Sequence, residues 1–382
     1  MIRVVLPGLR GLLVPAIALS LVASCGSVGP DPASSRDAPR LLAVDSLDVR
    51  AALSPGLPAG HLLVSGASFT PAGDVLVLES MTGALLLFSR HGDLLSRAGG
   101  LGAGDGYFRW PSSLAVFPDG SVTVSDGERQ TIELFDDSLR HLGRREFPEG
   151  GTPLDISPGL DGSILGRILE VTQGPEGEPA VRVLTGLWLE AGSSPDVVYM
   201  SLPCDVRPLD DGSIELEIPM MRSRCDPDGN VYCLTASPEG YRLLGFRPEG
   251  EAFMSASVDV EPVRRSLEEI ESSIVFRVER SDGSGAPAQV DLARLDARPW
   301  VNAALALAVD SLGRAWVLLG SGEEPVFHVY DGSCERLLEP ACPGLWTDGF
   351  VEPGLSFRYG GMLAWRRTPT ERPFVYMLET AD

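Results

Sequence analysis

The chain has 382 residues, 53 of them acidic and 31 basic, for a net charge of −22. So acidic a surface repels nucleic acid and anionic headgroups. Every basic residue is arginine, which excludes Schiff-base chemistry and any phosphate loop that depends on a lysine.

Residues 1–24 carry Arg3 and Arg10 and then an apolar stretch from Gly11 to Ala23, shorter than the roughly 20 residues of a membrane-spanning helix. That is the make-up of an export signal. It ends in Val22-Ala-Ser-Cys25, which resembles the lipobox of bacterial lipoproteins. The resemblance implies that Cys25 becomes the lipidated first residue of the mature chain, and Gly26 after it implies the outer membrane rather than the inner. Residues 25–40, rich in Ser, Pro, Asp and Gly, read as a flexible tether. The protein is therefore expected in the cell envelope, held to the membrane by lipid and not by charge.

Beyond the tether a hairpin pattern repeats at about 40 residues, the period of a four-stranded unit. Residues 67–79 with 84–88 make the first copy. The second is the most complete. Leu101-Gly-Ala-Gly-Asp-Gly-Tyr-Phe-Arg-Trp-Pro111 leads into strands over 114–117 and 121–124, on either side of Asp119-Gly120, a pair suited to the positive-φ positions of a hairpin turn. A third strand follows over 131–135. The Gly-x-Gly-x-Gly-x-Phe-x-x-Pro lead-in, Val122-x-Val-x-Asp126 and Ile132-x-Leu-Phe-Asp136 together resemble the NHL-repeat blade of bacterial six-bladed β-propellers. The resemblance implies an all-β ring.

Further copies run over 154–165 with 180–189 and 197–201, over 224–234 with 241–246, and over 305–318 with 326–330. Between the last two, Ser266-Leu-Glu-Glu269 has the form of a capping box, and Leu267, Ile270, Ile274 and Val278 recur at helical spacing, which predicts an inserted amphipathic helix over 266–280. Residues 355–358 and 374–378 are too few for a sixth blade, and 41–44 supply the missing strand. The expected domain is one monomeric ring over 41–382, without exposed sheet edges.

An exported chain permits disulfides. Cys225 and Cys233 flank one hairpin turn and Cys334 and Cys342 bracket a short loop, so these are the nearest pairings, with Cys204 left over. His61, His91, His141 and His328 show no metal-ligand spacing and read as surface or packing residues. Asp119, Asp161, Asp211 and Asp228 each precede a Gly in a turn, which explains them without catalysis. In the resembling blades the lead-in crosses between blades on a face that commonly binds. Arg109 and Trp110, residue types enriched at binding hot spots, are not demanded by the strand pattern and are the ligand-contact candidates. Asp126 and Arg129 complete the candidate group, at family positions that more often pin the turn. The expected function is a lipid-anchored binding or scaffold module for a protein, peptide or glycan, with no cofactor and no metal. The alternative is a metal-dependent lactonase or hydrolase of the kind this fold hosts elsewhere, whose channel ions are held by Glu, Asn and Asp. This chain has only Asn230 and Asn302 to offer in asparagine.

Overall fold

The computed structural model describes residues 2–4, 40–53, 62–147, 151–173, 179–189, 194–208, 214–265, 274–279, 289–295, 300–319, 326–332, 336–337, 353–358, 361–366 and 374–381. Six four-stranded antiparallel sheets account for most of them. The first is Val64–Phe69, Val75–Glu79, Ala84–Phe88 and Leu94–Gly99. The second is Pro111–Val116, Val122–Asp126, Thr131–Phe135 and His141–Glu146. The third is Leu154–Pro158, Ile164–Gln173, Pro179–Trp188 and Val197–Pro203. The fourth is Met220–Cys225, Val231–Ser237, Gly240–Phe246 and Ala252–Asp259. The fifth is Ala304–Val309, Ala315–Leu319, Phe327–Tyr330 and Arg336–Leu337. In each, the first strand is innermost and touches the first strands of the two neighbouring sheets. The result is a six-bladed β-propeller.

The sixth blade joins the two ends of the chain. Pro353–Arg358, Gly361–Arg366 and Phe374–Ala381 receive Arg40–Asp48 as their outermost strand, in register from Arg40 opposite Ala381 to Asp48 opposite Phe374. The closing strand expected over 41–44 is thus present and runs through all of Arg40–Asp48. Asp48 then caps a one-turn helix, Val49–Ala52, its Oδ1 accepting from the backbone N–H of Arg50 (3.0 Å) and Ala51 (3.2 Å).

Six hydrophobic clusters fill the six junctions between blades. Alternation explains why the strands look apolar throughout. In Val75–Glu79, Val75 and Val77 pack into the junction with the sixth blade, while Leu76 and Leu78 pack into the junction with the second. No face is left for water.

One turn recurs around the ring. The N–H of its fourth residue donates to the carbonyl of its first, and the first and fifth residues also bond, as at Thr70–Asp74, Phe117–Ser121, Asp226–Asn230 and Asp310–Arg314. The fourth residue is Gly73, Gly120, Gly229 or Gly313, each at positive φ, where glycine carries no Cβ penalty. At 119–120 only Gly120 has positive φ, so Asp119 does not share that role. Instead its carboxylate accepts from the Ser121 N–H and hydroxyl, which hold it below the usual carboxylate range.

Two expectations need correction. The predicted helix over 266–280 fails in its second half, because Ile274–Glu279 is a strand paired with Gln289–Leu295; residues 266–273 lie outside the described ones. A spacing of four places Ile270, Ile274 and Val278 on one side of a helix, yet four is also a multiple of two and places them on one side of a strand. The β-branched and aromatic run Ile274-Val-Phe-Arg-Val278 favours the latter. Asp205–Pro208, Ile214–Glu217 and Ile2–Val4 form another small sheet beyond the six.

The second correction concerns the cysteines. Cys225 and Cys233 are free thiols, as is Cys204, and Cys334 and Cys342 lie outside the described residues. Cys225 faces Val231 and Cys233 faces Ser223, so the two sit on a diagonal, where neighbours stand roughly 7–8 Å apart and their Cβ atoms, somewhat closer, still lie beyond the roughly 4 Å a disulfide needs. Burial pushes the Cys225 thiol up to about 12, and burial together with the neighbouring Cys225 pushes Cys233 up as well. Neither is a nucleophile near neutral pH.

Candidate functional site

The glycine-rich lead-in leaves the outer strand of the first blade through Gly99 and Gly100, both at positive φ. A Cβ on Gly99 would lie 2.5 Å from the Gly83 carbonyl oxygen and 2.6 Å from the Phe108 ring. Phe108 is fully buried between the first two blades, tilted against Phe135 at 5.9 Å. The segment doubles back on itself: Phe108 N–H donates to the Gly100 carbonyl, and Gly102 N–H to the Phe108 carbonyl, both at 2.9 Å.

Asp126 closes this loop from below. It is fully buried at the end of the second strand of its blade, and its carboxylate accepts from the backbone N–H of Arg109 (2.7 Å), Trp110 (3.0 Å) and Arg129 (3.2 Å). Glu79 ends the corresponding strand of the first blade and does the same for Leu63 (2.8 Å), Met81 (2.9 Å) and Thr82 (2.8 Å). The Arg129 guanidinium reaches over the lead-in to the carbonyls of Gly102 (2.6 Å) and Gly104 (3.3 Å). Of the four candidate residues, Asp126 and Arg129 therefore hold the crossover in place, and Arg109 and Trp110 are what it presents. The Arg109 side chain is 51% exposed, with Nη1 3.5 Å from Glu128 Oε1; Trp110 is half-buried beside Gly127.

Arg109 and Arg129 share a cavity of about 440 Å³ with Glu128, Thr131, Arg144 and Glu146. Beside it Glu133 is fully buried, its Oε2 2.8 Å from His141 Nε2 and its Oε1 accepting from the Thr131 hydroxyl (3.1 Å) and standing 3.5 Å from Arg129 Nη1. Arg144 pairs with Asp105. His141, read from sequence as a surface or packing residue, stacks edge-on to Phe135 at 5.3 Å and ties the outer strand to Glu133. Nothing in the sequence reading singled out Glu133 or Arg144. The available signal was Glu133 itself, an acid inside the apolar run Ile132-Glu-Leu-Phe135. His328 is a packing residue, buried and hydrogen-bonded to the Tyr241 hydroxyl.

A second, narrower cavity of about 90 Å³ lies on the ring axis, bounded by the inner strands of all six blades. Among the described residues no group of three or more His, Cys, Asp or Glu is placed to hold a metal ion. Asp155, the one carboxylate on this cavity among the described residues, is engaged by Arg224 Nη1 at 3.2 Å and Arg167 Nη2 at 3.4 Å. Asn230 is bonded to Asp226 (2.8 Å) within its hairpin turn. That donor set differs from the Glu, Asn and Asp cage of metal-dependent lactonases.

Fold and site together define a six-bladed propeller that carries a charged cavity beside its second blade. No known family and no curated protein matches the chain. Among solved structures it is similar to a candidate exported protein from Bacteroides fragilis, at 11% identity over 91% of this chain and 98% of that one, with a TM-score of 0.46. It is also similar to virginiamycin B lyase from Staphylococcus aureus, at 12% identity over 90% and 100%, TM-score 0.42. A gluconolactonase from Xanthomonas campestris gives 15% identity over 94% and 99%, TM-score 0.41. Likeness of this degree adds nothing to what the six sheets already establish, and propellers host many unrelated activities.

Proposed function

We propose that this protein is an NHL-like propeller lipoprotein of the cell envelope, anchored at the outer membrane, which binds a peptide segment of a partner in the cavity beside its second blade. The observation that carries the reading is the pairing of partly exposed charges on a rigid frame: Arg109 with Glu128, and Arg144 with Asp105, around a lead-in fastened by Asp126 and Arg129. A frame ordered before binding lowers the entropic cost of capture. Both signs of charge stand at the rim, which suits a peptide bearing both better than a neutral glycan.

Replacing Arg109 and Trp110 together by Ala is expected to weaken capture of the partner from an envelope extract at least about tenfold, the usual consequence of losing a hot-spot pair, with the melting temperature held within a few degrees. Undiminished capture would end this assignment. A steep loss of stability instead would mean that Trp110 is packing and not contact.

The anchor has its own test. Cys25→Ser is expected to move the protein from the membrane pellet to the soluble fraction or to leave the precursor uncleaved; a normally processed, membrane-bound Ser variant contradicts lipidation. Processing at Cys25 removes Ile2–Val4, and the hairpin of Asp205–Pro208 and Ile214–Glu217 then keeps its own pairing without that strand.

A further inference from the structure

We infer that the cavity on the ring axis is a binding site for a small oxyanion, a carboxylate or a phosphate group, held by Arg224. This is independent of the peptide site on the second blade. The cavity of about 90 Å³ has room for about three waters or one such group.

Among the described residues its charged lining is Arg224 and Asp155, and serine hydroxyls supply the rest of its polar side chains. Arg224 has its side chain 19% exposed at the cavity. It uses Nη1 on the Ser223 carbonyl (2.7 Å) and, with Nη2, on a single oxygen of Asp155 (3.2 and 3.3 Å). A guanidinium has five N–H donors. Among the described residues nothing accepts from its Nε–H, and that edge remains for a planar anion. Ser65, Ser113 and Ser157 line the cavity on the first three blades, while the Ser68 hydroxyl is engaged with the Phe69 carbonyl (3.3 Å). Ser113 Oγ already accepts from the Ile156 N–H (3.3 Å), which leaves its proton to give.

Asp155 is placed to aim the fork. It sits where the pairing of the innermost strand shifts between Leu154 and Ser157, at φ 53, a backbone state uncommon for any residue but Gly. Such outliers collect where geometry serves a site. Its second oxygen is 3.4 Å from Arg167 Nη2, and Arg167 is fixed in turn by its bond to the Met221 carbonyl (2.6 Å). With guanidinium groups at both oxygens, Asp155 is poorly placed to take a cation. The side chains of Leu114, Val116, Ile156 and Val309 complete the wall.

The test is calorimetric titration of the full-length protein with sodium acetate and with inorganic phosphate, at constant ionic strength and with chloride as the reference. Binding of either at one per chain is expected, and which of the two binds identifies the group. Arg224→Met should lower the affinity at least about tenfold, as the loss of a charge-assisted fork implies. Should that variant fail to fold, Arg224→Lys, which keeps the charge and loses the fork, should give a loss in the same direction. Asp155→Asn removes the competing negative charge while keeping an acceptor for the Arg224 fork, and should leave the site in place with tighter binding. No binding of either anion to the unmodified protein, or equal affinity in the folded Arg224 variant, overturns the assignment and leaves the peptide site untouched.

Discussion

Removing Arg40–Asp48 is expected to lower the melting temperature of the whole ring by more than about 10 °C, at up to roughly 2 °C per kcal/mol for a domain this large, in a single cooperative transition. The strand supplies the outer edge of the sixth blade, and with it goes Leu47, buried in the cluster between the sixth and first blades. Burial of one such side chain contributes about 1.5–3 kcal/mol, and each of the ladder hydrogen bonds to Phe374–Ala381 adds about 0.5–1.5 kcal/mol net. The exposed edge is also a site for association with other chains. Shortening the tether within 26–36 is the control and should leave the transition where it is. If the ring lacking Arg40–Asp48 melts like the intact one, the blade closes by other means.

Asp126→Ala should cost about 3–5 kcal/mol, the range for leaving a buried charged network without one partner. Three backbone N–H groups, of Arg109, Trp110 and Arg129, lose their acceptor at once in a place that water does not reach. Urea denaturation would read the loss as a lower midpoint at unchanged slope. Asp126→Asn keeps one carbonyl oxygen and should lose less. The same variant should impair capture at the neighbouring cavity, because the lead-in that presents Arg109 would be released. A change below about 1 kcal/mol, the size of an ordinary substitution, would show that the lead-in is held by Phe108 and the glycine geometry alone.

The blades were legible because their signals are local. A turn glycine such as Gly120 or Gly313 has to sit at the fourth place of a five-residue loop, and the apolar strands on either side are continuous since both faces are covered. Even the closing strand was readable, as the piece missing from a blade that 355–358 and 374–378 left short. The segment at 274–279 was misread because its repeat of four fits two periodicities and its partner, Gln289–Leu295, lies ten or more residues away. The cavity was only half legible for a related reason. Arg109 and Arg129 stand in the motif, but Arg144 joins them through pairing of the outer strands, which sets it opposite Glu133, and nothing in a single strand's pattern announces what the next strand brings alongside.

The fastening of the ring has a mechanical side. In a chain anchored at Cys25, any tension between the membrane and a partner held at the second blade is transmitted through residue 40, directly into the strand that closes the circle. A pull along Arg40–Asp48 loads its pairings with Phe374–Ala381 in shear, all of them together, whereas a pull across the strand peels them one at a time from Arg40 and Ala381 inward. The direction in which the tether leaves the blade therefore decides whether the propeller behaves under load as a rivet or as a zip.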